Sequence, residues 1–92
     1  MGTFIEELLK LKKEYQIACY NIRYINSEIK QIERVKKEAK GKVPAEFKKY
    51  YSTKGLDDSI SALKRKRAFC EFRKNKCEMI FRSLQEIWNK KN

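Results

Sequence analysis

Lys48, Lys49, Lys64, Arg65, Lys66, Arg67, Arg73, Lys74 and Lys76 are the side chains best placed to do chemistry in this chain of 92 residues. Between residues 59 and 76, seven of these bases meet one acid, Glu71, for a local charge of +6. The whole chain carries 23 Lys and Arg against 12 Asp and Glu, a net +11. A cationic surface of this strength attracts polyanions, whether nucleic acid, an acidic protein or an anionic membrane face. Lys64-Arg65-Lys66-Arg67, as four successive helical residues, point in different directions around the axis and make a broad flank, not one groove. Leu63, Cys70 and Cys77 occupy the other side of that helix, so the competing reading is a packed element with a solvated exterior.

Aromatic residues alternate with some of the bases. Tyr20 and Tyr24 flank Arg23, while Tyr50 and Tyr51 follow Lys48 and Lys49. Such interleaving suits stacking on unpaired nucleobases with cations on the phosphates. It suits a protein interface equally, because tyrosine joins apolar area to a polar tip. Ile17, Tyr20, Tyr24, Phe47, Tyr50 and Tyr51 are accordingly expected to form an interface.

Catalysis is not expected. The chain has no histidine, the commonest general base, and its three glycines are isolated, so no phosphate-cradling loop is present. Cys70 and Cys77 stand seven apart, about 10 Å along a helix, too far for a mutual disulfide. Metal-ligand spacing is absent, and Cys19, Cys70 and Cys77 read as apolar packing groups. The expectation is a non-enzyme with no cofactor and no metal.

The elements that must carry these residues follow from a seam of period seven. Phe4, Leu11, Ala18, Ile25, Ile32 and Ala39 form one column, and Leu8, Tyr15, Ile22 and Ile29 form another that Lys36 interrupts. Alternating steps of three and four put both columns on one stripe of a long helix, as in a coiled coil. Thr3 and Glu6 make a capping box, so this helix is predicted from about residue 3 to 40, with Gly41 as a left-handed stop. Pro44 suits the first turn of a short helix over about 44–52, with Val43, Phe47, Tyr50 and Tyr51 on one face and Gly55 ending it. Asp57 or Asp58 is predicted to cap a second long helix over about 57–90, leaving a loose tail within 89–92. Its stripe is Leu56, Ile60, Leu63, Cys70, Cys77, Phe81, Leu84 and Trp88, with Arg67 and Lys74 intruding.

Two long helices and a compact connection predict one all-α domain over 1–92, an antiparallel helical hairpin resembling a coiled coil. Facing positions then sum to about 96, which brings Cys19 level with Cys77, Tyr15 with Phe81, Leu8 with Trp88 and Ile32 with Leu63. Ile17, Tyr20 and Tyr24 lie outside the seam and call for a second contact. A second copy is favoured, giving a homodimeric four-helix bundle; the alternative is that the short helix folds back over them. No stretch reaches the roughly 20 apolar residues of a membrane span, and no secretory signal is evident, so the expected setting is cytoplasmic and reducing.

The resulting expectation is a non-catalytic, homo-oligomeric binding protein whose basic surface engages an acidic partner, nucleic acid first. The alternative is a small regulator or inhibitor, in the style of phage or mobile-element accessory proteins, that binds another protein through its aromatic surface. A third is an adaptor that only joins larger assemblies.

Overall fold

The seam dictates where the chain turns back. In a computed structural model, which describes residues 3–91, α1 runs over Phe4–Lys42, a 3-10 turn over Ala45–Tyr50 forms the connector, and α2 runs over Lys54–Lys91. The two long helices pack along each other and the connector packs on neither. The hairpin measures 73 × 24 × 15 Å.

Thr3 opens α1 as expected. Its Oγ1 accepts from the Glu6 N–H at 3.1 Å, and its own N–H donates to Glu6 Oε2 at 3.3 Å. The other end differs from expectation. The helix passes through Gly41 and stops at Lys42, and Gly41 is not left-handed. Pro44 is the cause: it forces the preceding residue out of helical geometry, and Val43 is extended with ψ 122°. The short helix expected over 44–52 is a six-residue 3-10 turn. The second helix starts earlier than predicted, at Lys54, so Gly55 lies inside its first turn instead of ending the connector. Thr53 precedes it; the Ser52 hydroxyl accepts from the Lys54 N–H at 3.2 Å. Asp57 sits within the first turn, and the Thr53 hydroxyl donates to its Oδ2 at 2.8 Å. Asn89 and Lys90 are helical, contrary to the loose tail expected there, while Asn92 lies outside the described residues.

Beyond its chain neighbours and its own helical backbone, neither Gly41 nor Gly55 has an atom within 4 Å of where a Cβ would stand. Both are therefore helical positions at which glycine confers only unfolded-state freedom. Gly41→Ala and Gly55→Ala should each stabilise the hairpin by about 0.4–1 kcal/mol, read as a higher urea midpoint.

The first seam behaves as its period requires: Ala18, Ile25 and Ile29 are buried, and the rest of the stripe is half-buried except Phe4. Ile25, Ile29 and Ile60 form the central cluster, with Ile32, Leu63 and Cys70 packed around it. Tyr15 meets Phe81 edge to face at 6.3 Å, the predicted level. Arg67, on the second stripe, reaches across to donate from Nη1 to Asn26 Oδ1 at 2.8 Å. Near the connector, Lys36 Nζ lies 2.6 Å from Asp57 Oδ1. Each holds the other charged: the hydrogen bond raises the Lys36 pKa and lowers that of Asp57, which Thr53 also lowers. The pair's contribution to stability is complete between about pH 4 and pH 10. It is lost as pH falls through the depressed Asp57 value or rises through the elevated Lys36 value.

Among the described residues, only the hydrophobic side chains Ala18, Ile25, Ile29, Ile60 and Cys77 are buried. Two helices can cover only one stripe of each other, so other large apolar side chains remain in solvent. Among the described residues no helix is long and apolar enough to cross a membrane.

Candidate interaction surfaces

Heptad arithmetic sorts the exterior of the hairpin into two flanks. On one, the column Glu7, Glu14, Asn21, Glu28 and Val35 of α1 runs beside Lys66, Arg73, Ile80 and Ile87 of α2. An ion pair fixes this assignment, since Arg73 Nη2 lies 2.8 Å from Glu14 Oε1. The opposite flank carries Asn26 and Glu33 beside Asp57, Lys64, Glu71 and Glu78, joined by Arg67 to Asn26 and by Lys36 to Asp57.

The first flank holds an open groove of about 590 Å³ between the helices, lined by Tyr24 and Glu28 on one side and Arg65, Lys66, Phe69 and Arg73 on the other. Tyr24 is 56% exposed and Phe69 62%. The Arg73 guanidinium stands 5.9 Å from the Phe69 ring centroid, within cation–π range. A hydrogen bond with Glu28, reinforced by that carboxylate's charge, raises the Tyr24 pKa. Glu14 likewise raises that of Arg73. Tyr24, expected in an aromatic interface, and Arg65, Lys66 and Arg73, expected on a basic surface, thus share one groove. Ile17, seven residues before Tyr24, continues the same column and is exposed. Phe69 belongs to the groove; its place beside the second seam marks it as apolar surface spreading sideways, but it was not among the expected interface residues, and its spacing of four from Arg73 was the available signal.

The remaining predicted residues scatter. Tyr20 is exposed on the outer back of α1. Lys64 lies on the second flank, and Lys74 is half-buried on the seam. Arg67 is committed inside the hairpin, to Asn26 and, 4.0 Å away, to Glu71. Lys76 lines a small apolar recess with Phe72 and Met79 on the outside of α2. In the connector, Phe47 and Tyr50 project together because 3-10 geometry eclipses residues three apart, and Tyr50 is 74% exposed. Tyr51 departs from that group. Its backbone is extended and its hydroxyl is buried, close enough to Lys36 to raise the pKa of that amine. Lys49 stands 5.0 Å from the Tyr50 ring centroid. The connector leaves Ile17, Tyr20 and Tyr24 uncovered, so the fold-back alternative fails.

The second flank holds a set of cations that the density of residues 64–76 obscured. Arg23, Lys30 and Lys37 are seven apart, hence one column spaced by about 10 Å. All three are exposed. No ion pair engages them, nor Lys48, Lys49, Lys64, Arg65 or Lys66, among the described residues.

The thiols occupy the interior. Cys77 is 2% exposed, and Cys19 and Cys70 are half-buried. Removal from water pushes the Cys77 thiol above its ordinary pKa, with Glu14 adding to the shift and Arg73 and Lys76 opposing it. Tyr15 donates to Glu78 at 3.3 Å, and its pKa is raised first by a hydrogen bond with Cys19. Among the described residues no group of three or more His, Cys, Asp or Glu side chains is gathered to hold a metal ion. Comparison with protein-family models, with curated proteins and with solved structures finds no match to the chain.

Proposed function

We propose that the protein is a non-catalytic, self-associating helical scaffold whose basic surface engages an acidic partner, nucleic acid before others. The observation that carries this reading is the set of cations without carboxylate partners among the described residues. Arg23, Lys30, Lys37 and Lys64 share the second flank, and Lys48 and Lys49 extend the set at the connector. Unpaired cations in a straight file track a phosphate backbone and carry no base-edge information, so binding would follow charge and not sequence.

The test is retardation of a duplex oligonucleotide across a salt series. Binding should weaken steeply with salt. Replacing Arg23, Lys30 and Lys37 together by alanine should flatten the logarithmic slope by about 2–3, one phosphate contact being lost per residue. Arg67 is a poor choice for this experiment, since its loss would also break the contact with Asn26. A protein that retards neither duplex nor single strands at low salt would refute the reading.

A second reading, a regulator or inhibitor acting through protein contacts, draws on the projecting Phe47 and Tyr50. Binding of that kind would tolerate salt and fail on Tyr50→Ala.

A further inference from the structure

The hairpin exposes 8001 Å². A compact monomer of its 11.1 kDa mass would expose about 5,700 Å². The excess, about 2,300 Å², exceeds the roughly 800 Å² that each partner buries in a standard protein interface. A surplus of this size on a thin two-helix core is what a four-helix bundle removes, and the groove flank carries a continuous share of its apolar part. Ile17, Tyr24, Val35, Phe69 and Ile87 are all exposed there, with Ile80 half-covered between them.

Charge selects the occupant and its orientation. On this flank α1 contributes Glu7, Glu14 and Glu28, while α2 contributes Lys66 and Arg73. Laying α1 on another α1 would set acids against acids and bases against bases, which is costly at an interface. Laying α1 on the α2 of another copy matches them. We infer that a second copy of this chain docks on the Tyr24–Phe69 flank, each α1 lying along its partner's α2, with both connectors at the same end. The inference rests on the self-association named above and supplies its surface and geometry.

A twofold axis along the rod preserves the levels fixed by Tyr15 and Phe81. Ile17 then meets the partner's Ile80, Tyr24 lies between the partner's Phe69 and the partner's Arg73, and Glu28 meets the partner's Lys66. The bundle closes over the apolar flank and leaves the Arg23, Lys30 and Lys37 file facing solvent on both copies.

Light scattering on two charge reversals tests this. Glu28→Lys and Lys66→Glu should each raise the dimer dissociation constant by about tenfold or more. Within each variant chain the reversed residue still faces a like charge across its own groove. Mixing the two variants restores opposite charges at both contacts. The base introduced in one chain meets the acid introduced in the other, and the unaltered Glu28 and Lys66 meet at the second contact, so dimer mass should return. Tyr24→Ala combined with Phe69→Ala should give single-chain mass with helical circular dichroism retained. Three results would overturn the inference: wild-type protein of single-chain mass at high micromolar concentration, reversals that leave the mass unchanged, or a mixture that stays monomeric. Retardation measured alongside separates the two proposals. Dimer mass without oligonucleotide binding removes only the polyanion reading. Single-chain mass with binding removes self-association and this interface together and leaves the polyanion reading standing. Dimer mass that the reversals do not change removes this interface alone.

Discussion

Ile29→Ala should lower the urea midpoint of unfolding by about half. Ile29 is 5% exposed and belongs, with Ile25 and Ile60, to the buried apolar cluster of the hairpin. Truncating a buried isoleucine to alanine costs about 2–5 kcal/mol, from lost transfer free energy plus the cavity left behind. Two helices close a cavity more easily than a layered core does, which favours the lower part of that range. A domain of this size has about 5 kcal/mol of stability if it lies at the modest end of the usual range. A thin core belongs there. The proposed self-association would add stability that grows with the logarithm of concentration, so parent and variant are to be compared at equal concentration. A loss under about 1 kcal/mol would mean that the cluster does not anchor the helices.

Cys77 should alkylate about a thousandfold more slowly in the folded protein than in the urea-unfolded chain, with Cys19 and Cys70 reacting well before it. The thiolate is the reacting species, and it forms only when the helices part enough to admit water and reagent. If that opening costs most of the global stability, roughly 4 kcal/mol, the reactive population falls by about three powers of ten. The raised pKa acts in the same direction, delaying ionisation to higher pH. Its linkage has a definite sign. The protonated thiol's contribution to folding is complete below the unfolded value, about pH 8.5, and is lost as pH rises through the folded value. Mass spectrometry of a timed labelling series reads all three thiols at once. Labelling of Cys77 as fast as Cys19 would show that the centre of the hairpin is open.

The seam was legible because a seven-residue period has a single structural meaning over five heptads. Ala18, Ile25, Ile29 and the half-buried positions between them follow from it directly. So did the level of Tyr15 with Phe81, since the turn position alone sets the antiparallel register. The ends of the helices were less legible. Gly41 and Gly55 invite punctuation, yet each is tolerated inside a helix, and Pro44, two residues past the end of α1, decides the stop. The groove was not legible in one dimension. Tyr24 and Phe69 are far apart in sequence and meet only through the register, so aromatic and basic features assigned to separate surfaces fell together. Arg23, Lys30 and Lys37 could have been found by the same period that revealed the seam. Density drew attention to residues 64–76, where successive bases diverge around the axis.

The slenderness of the rod has an electrostatic corollary. At physiological ionic strength a charge is screened over about 8 Å, whereas the hairpin is 73 Å long and 15 Å across its narrowest direction. The net +11 therefore never acts as one pooled quantity; each patch answers only to its immediate surroundings. The two sides of the rod are thus free to act independently, and on the reading proposed above one would receive a like molecule while the other, edged by uncompensated cations, would receive an unlike one.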